Sequence, residues 1–215
     1  MPVPTTFGVF ASGAAGSSAA AFVAKNEYTP STSSQAVSFS GAAAGNLAII
    51  IVSNSTGGFP PTPAGWTSLG GYTWPVYSYN DTAFIKVLSA GDISTGSVTL
   101  TALNTDSTVQ ILFYAGATTA AVVGSAATSS TTVTIPGFTK NANCKGIVLY
   151  CTTRQTVASP SAPGTAVNRI ANFASANFKS RADDILNPSN YVDGSGLPYT
   201  NAGSIMALAR AIELR

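Results

Sequence analysis

Apolar residues in this chain come in short runs that alternate with hydroxyls and end at turn residues, and this rhythm restricts the fold more than any other feature. In Ser97-Val98-Thr99-Leu100-Thr101-Ala102 and Thr131-Thr132-Val133-Thr134-Ile135 every second side chain is apolar. A period of two places those side chains on one face of an extended strand and leaves the other face to water. The segments Leu47-Ala48-Ile49-Ile50-Ile51-Val52 and Ile147-Val148-Leu149-Tyr150 are apolar on both faces. They are expected to be central strands, covered on both sides or by a neighbouring subunit. Strands are predicted near 35–40, 47–54, 67–72, 76–79, 82–88, 97–102, 108–115, 131–135 and 145–152. Turn signals separate them at Thr56-Gly57-Gly58, Pro60-Pro61, Gly70-Gly71, Asn80-Asp81, Gly91-Asp92 and Asn141-Ala142-Asn143. The expected fold is all-β: an antiparallel, jelly-roll-like β-sandwich, taken as one domain over residues 1–215.

The two ends read less directly. Residues 1–34 are rich in Ala, Gly and Ser, with Phe7, Phe10, Phe22 and Val23 as anchors. They suit either an extended N-terminal arm held in an assembly or a first strand or two with a long connection. Near the C-terminus, Ile205, Leu208, Ala209 and Ile212 make a helical stripe behind a Ser204 cap. At period two, Met206, Leu208, Ile212 and Leu214 share a face with Arg210, while Ile205 and three alanines line the other. A closing strand completes a sheet, so strand is the expectation.

Composition narrows the chemistry. The 215 residues include no histidine, eight Asp and Glu, ten Lys and Arg, and a net charge of +2. Without histidine there is no Ser-His-Asp triad, no Cys-His dyad and no histidine-ligated zinc or haem. Scattered charge near balance argues against a nucleic-acid surface. The apolar run 47–52 is far short of the roughly 20 residues a membrane helix needs. Met-Pro-Val-Pro-Thr-Thr lacks the basic start and apolar stretch of a secretory signal. A soluble protein made in a cytoplasm, with no membrane partner, is expected. Cys144 and Cys151, seven residues apart on one strand, would be roughly 23 Å apart and on opposite faces. That is far beyond disulfide reach, so both are expected to be free and buried.

Candidate sites are few. The carboxylates are Glu27, Asp81, Asp92, Asp106, Asp183, Asp184, Asp193 and Glu213. Only Asp183-Asp184 are adjacent, and on a strand they would point to opposite faces, so no acid/base pair is indicated and no enzyme is expected. Asp81, Asp92, Asp106 and Asp193 sit beside turn formers and suit capping or turn roles. Oxygen ligands at Asp183, Asp184, Asn187 and Asp193 do not match a calcium-loop spacing, so no metal or other cofactor is expected. The aromatic set Trp66, Tyr72, Trp74, Tyr77 and Tyr79, among Pro60, Pro61, Pro63 and Pro75, is the strongest ligand or interface candidate, since flat rings stack on sugars and anchor interfaces. Against that stands ordinary packing: Trp66 as the plug of a sandwich, Tyr77 and Tyr79 on one strand face.

The order of Ala44-Gly45-Asn46-Leu47-Ala48-Ile49-Ile50-Ile51-Val52-Ser53, then Pro61-Thr62-Pro63-Ala64-Gly65-Trp66-Thr67-Ser68-Leu69, gives an apolar strand, a Pro-rich loop and Ala-Gly-Trp-Thr entering the next strand. Ala83-Phe84-Ile85-Lys86-Val87-Leu88, Gly96-Ser97-Val98-Thr99-Leu100 and Gln110-Ile111-Leu112-Phe113-Tyr114-Ala115-Gly116 follow. Over 40–116, and more loosely 203–214, the chain resembles a diverse group of β-sandwich proteins of tailed bacteriophages, found among tail, fibre and other virion proteins. The resemblance implies a non-enzymatic virion subunit in a head-decoration, fibre or tail assembly, with other virion proteins and sister copies in a homo-oligomer as partners. A particle assembled in the host cytoplasm needs no signal sequence. The alternative is a carbohydrate-binding module that recognises host surface glycans through an exposed Trp66 or Trp74.

Overall fold

The computed structural model describes residues 18–55, 58–74, 79–154, 163–175, 178–200 and 206–215. The first half of the chain supplies β1 (Ala21–Tyr28), β2 (Ser34–Ser38), β3 (Leu47–Asn54), β4 (Thr67–Trp74), β5 (Tyr79–Val87), β6 (Ser97–Thr101) and β7 (Thr108–Ala115), with a short helix α1 (Ala90–Thr95) before β6. The second half supplies β8 (Ala120–Thr128), β9 (Thr132–Ile135), β10 (Gly146–Arg154), β11 (Val167–Ala174), β12 (Phe178–Ile185), β13 (Leu197–Thr200) and β14 (Ala207–Leu214). The pairings are antiparallel, so the all-β antiparallel sandwich expected from the alternation is the observed class.

Each half contributes one five-stranded sheet, in the orders β1-β7-β3-β5-β4 and β11-β12-β10-β14-β8, and one two-stranded ribbon, β2-β6 or β9-β13. The sheets face each other across a central core, where Leu47, Ile49, Ile51 and Tyr114 meet Val148, Tyr150, Leu208 and Ile212. On the far side of the first sheet, Ala48, Ile50 and Val52 pack under Val37 and Leu100 of its ribbon. On the far side of the second, Ile147, Leu149 and Cys151 pack under Val133, Ile135 and Tyr199. The layers therefore run ribbon, sheet, sheet, ribbon. This explains the two runs that are apolar on both faces: β3 and β10 are the middle strands of the middle layers. Every residue of β3 is buried within the one chain, so the expectation that a neighbouring subunit covers it falls away. The alternating segments 97–102 and 131–135 fall on the ribbons, where one face meets a core and the other meets solvent.

Strand for strand, the second half repeats the first. Strand n of the first half has its counterpart seven strands on, in the same place in its sheet or ribbon. Register repeats as well: Ala21 pairs with Ala115, and Ala120 with Leu214, each 99 residues further along. Counterparts meet face to face across the central core. Ser53 Oγ lies 2.8 Å from Thr152 Oγ1, again 99 residues apart, and the rings of Tyr79 and Phe178 stack at 4.9 Å between centroids. Contact between equivalent residues is what a two-fold axis between two like units produces.

Several expectations are corrected in detail. Asn80-Asp81 is no turn: both are buried in β5, where Asp81 pairs with Ser53 and Tyr72. Of the two readings open for residues 1–34, residues 21–28 follow the first-strand one: they form β1, with Phe22 packed edge-on against Tyr114. The run Gly91-Asp92 opens a helix, since Ser89 and Asp92 cap each other's backbone N–H in the reciprocal pattern of a capping box. Asp183 and Asp184 lie buried in β12. The two cysteines are free, but both face the same outer core, because Cys144 precedes β10 in a turn where strand alternation does not operate. The closing strand is present as expected: Leu208, Ile212 and Leu214 join the central core while Ala207, Ala209 and Ala211 face outward.

Candidate functional site

Four carboxylates are wholly buried, and each is held by a named partner set. From β5, Asp81 takes a 2.5 Å hydrogen bond from the Tyr150 hydroxyl of β10, with Arg210 of β14 at 3.8 Å. Arg210 itself crosses from the second sheet to donate to the carbonyls of Gly70 and Leu69 in β4 of the first. Burial pushes the Asp81 carboxyl up to about 7, against the opposing pull of Arg210 and the Tyr150 hydroxyl. Asp184 faces the same seam, bonded by Arg169 Nε at 2.7 Å and by the Tyr114 hydroxyl at 3.3 Å. Burial raises it too, opposed by Arg169. Its neighbour Asp183 points the other way, into the second outer core, where Arg181, Asn168 and the Tyr199 hydroxyl hold it. The opposite facing of this pair is the one the sequence predicts. Glu213 accepts from the backbone N–H of Asn141 and pairs with Arg215.

The described members of the aromatic set, Trp66, Tyr72, Trp74 and Tyr79, do not form a surface platform. Trp66 is 7% exposed and lies in the outer core of the first sheet near Phe39, at 6.3 Å between ring centroids. Trp74 and Tyr79 are 8% and 1% exposed and face the opposite way, into the central core. Tyr72 is half-buried against that same core. Tyr77 lies outside the described residues. A flat face that stacks on a sugar must be open to it, so the expectation of an exposed Trp66 or Trp74 is corrected: the two rings fill two different cores. Both thiols are likewise internal, and burial lifts Cys144 to about 11 and Cys151 higher still, which keeps them protonated and unreactive.

Among the clefts that open on the surface of the described residues, two bear on function. One, of about 270 Å³, is mainly apolar and lies between residues 163–165 and 190–198, beside Tyr191 and the exposed Val192. The other, of about 490 Å³, sits where the connection between the halves meets the turn before β10 and the end of β14, and is lined by Thr118, Thr119, Asn141, Asn143, Lys145 and Arg215. Its walls come from three distant stretches of chain, so no local motif announces it. Among the described residues no three His, Cys, Asp or Glu side chains gather in a group able to hold a metal ion. No helix among them is long and apolar enough to cross a membrane. No protein-family model, curated protein or solved structure matches this chain.

Proposed function

We propose that the chain is a non-enzymatic structural subunit of a bacteriophage particle, in a head-decoration, fibre or tail assembly, with other virion proteins and sister copies as partners. The observation that carries the reading is where its acidic side chains go. Of eight carboxylates in the chain, seven form ion pairs with Lys or Arg, and four of those are buried within the sandwich. Acid/base or nucleophilic work needs a carboxyl that faces substrate and is free to change its bonding. Here each of the four buried carboxyls holds a group from another strand or loop, Asp81 with Tyr150, Asp184 with Arg169 and Tyr114, Asp183 with Asn168 and Tyr199, and Glu213 with Asn141, the use a building block makes of them.

The resemblance to tailed-phage sandwich proteins supports the reading further, since over 40–116 its segments are consecutive parts of the first half: β3, the turn into β4, β5, β6 and β7. Pairing in each half is nested, β1 with β7, β2 with β6 and β3 with β5. A long hairpin folded over on itself pairs in this way, and we read each half as a reduced jelly roll. With β3 covered internally, contacts between copies fall to the outer surfaces of the ribbons and the loops at the sheet ends. The test is to raise an antibody to the chain and locate it on purified particles by electron microscopy, with its copy number taken from the particle's protein content. Labelling at symmetry-related positions is expected. A polypeptide found in the soluble cell fraction and absent from purified particles would contradict the proposal.

A further inference from the structure

The repeat that relates the two halves changes side-chain size sharply at one core position, and the apolar cleft lies beside it. Trp66 and Ala166 hold the same place. Each donates its backbone N–H to the carbonyl of a proline three residues earlier, Pro63 or Pro163. Each stands directly before its strand, β4 or β11, and the two strands enter their sheets alike, with Thr67 opposite Ile85 and Val167 opposite Asp184. Both side chains pack on the outer core of their own half, which holds Phe39 in the first and its counterpart Phe138 in the second. In the first half an indole fills this place and is 7% exposed; in the second there is only a methyl group. Tyr191, from the connection between β12 and β13, takes over part of the indole's role. Its ring stacks on Phe138 at 4.5 Å between centroids, where Trp66 lies 6.3 Å from Phe39. Its hydroxyl accepts from the Phe138 N–H at 2.9 Å, which fixes the ring. The gap is not closed: the cleft of about 270 Å³ lies between Tyr191 and the 163–165 turn, with Leu197 and Pro198 as further walls.

That volume falls just under the range of about 300–1,000 Å³ that holds drug-sized ligands, so it suits a single ring system. The lining is mainly apolar, and a sugar would give up its hydration there without replacement. None of the described residues that line it is charged, and Lys140, which lies over the Tyr191 ring at 5.0 Å, is paired with Asp193 at 2.8 Å. Val192 on its wall is 70% exposed, the most of any large hydrophobic among the described residues, and apolar surface left open at a cleft marks a binding site. We propose that the cleft binds one neutral aromatic ring of about the size of an indole, as the second half's substitute for the side chain that Trp66 supplies in the first. The proposal rests on the repeat and not on the particle reading, so either can fail without the other.

The test titrates the whole chain with indole, N-acetyltryptophanamide and glucose, followed by amide chemical shifts. Indole is expected to bind with a Kd of about 0.1–5 mM, at least about tenfold tighter than glucose, and to move the amides of residues 164–166 and 190–197. Comparison with N-acetyltryptophanamide tells whether the cleft takes the ring free or as a side chain. Ala166→Trp restores the first-half residue and is expected to weaken indole binding at least about tenfold by filling the space. Should that variant be overpacked and fail to fold, Val192→Asp decides: it places a charge on an exposed wall, and is expected to weaken binding at least about threefold with the thermal midpoint unchanged. No binding at about 10 mM indole, equal affinity for glucose, shifts confined to other parts of the molecule, or a folded variant of either kind that binds indole as wild type does would each overturn the proposal.

Discussion

Asp81 concentrates the electrostatics of the molecule at one residue. It is fully buried on the seam between the sheets, and its carboxyl is raised to about 7 chiefly by burial, with Arg210 and the Tyr150 hydroxyl pulling the other way. In the unfolded chain the same carboxyl titrates at the ordinary value of about 4. The folded state therefore holds the proton more tightly, and by linkage the stabilisation is complete below about pH 4 and is lost as pH rises through about 7. Asp81→Asn keeps an oxygen for the Tyr150 hydroxyl and removes the titration. Urea unfolding at a series of pH values checks this: wild type is expected to lose roughly 2–4 kcal/mol relative to Asp81→Asn between pH 4 and pH 8. A constant gap between the two curves would show that Asp81 does not titrate in this window. Asp92 behaves in the opposite sense, because its bond from Lys86, then its bonds from Ser89, hold it down to about 2. What it contributes is lost only as pH falls through about 2, so it does not obscure the Asp81 effect.

At the level of strands, the edges are treated differently from the middles. Register is unbroken in β3-β5, β3-β7, β10-β12 and β10-β14. It breaks in the pairings of all four outermost strands, between Phe22 and Ala24 in β1, between Ser68 and Gly71 in β4, twice in β11, and opposite Ala211 and Ile212 in β8. Bulged edges are poor templates for a further strand, so copies of this chain are not expected to join by extending a sheet. The outer ribbon of the second half depends on a close backbone approach instead. A Cβ on Gly137 would fall 2.0 Å from the carbonyl oxygen of Gly194, while Gly194 N donates to Phe138 O at 2.9 Å. Gly137→Ala must push those two loops apart and is expected to cost about 1–3 kcal/mol in thermal unfolding; an unchanged midpoint would show that the loops yield freely. The elements legible in the sequence share one property, that their own side chains state their surroundings: β3, β7 and β9 read directly, whereas β14 also fits a helical stripe and reads as a strand only from the sheet it completes. Phe178-Lys179-Ser180-Arg181-Ala182-Asp183-Asp184-Ile185 does not, because its charges are buried only by virtue of Arg169, Tyr114 and Tyr199 from elsewhere. Ala120–Thr128 is half-buried along almost its whole length and shows no alternation. The polar cleft was hidden for a related reason: Thr118, Asn143 and Arg215 meet only after three segments are brought together.

The whole molecule is two like units that share a core, and this decides how it should unfold. Each half has its own outer core, and neither has the central one alone: Leu47, Ile49 and Ile51 are buried against Val148, Tyr150 and Ile212. Separation of the halves would expose these side chains, at about 1.5–3 kcal/mol for each large one, and would strand Arg210 and Asp81 without their cross-sheet partners. A penalty of that size exceeds what a domain of ordinary stability can absorb, so neither half should persist once the other has opened. The two tryptophans make this measurable, because Trp66 and Trp74 both lie in the first half, one in its outer core and one at the seam. Tryptophan fluorescence therefore follows the first half, while far-ultraviolet circular dichroism follows the strands of both. In a denaturant titration the two signals are expected to superimpose in one transition. If fluorescence moved first and half of the dichroism signal survived to higher denaturant, the central core would be a docking surface between two independently stable units, and the duplication would divide the molecule rather than unite it.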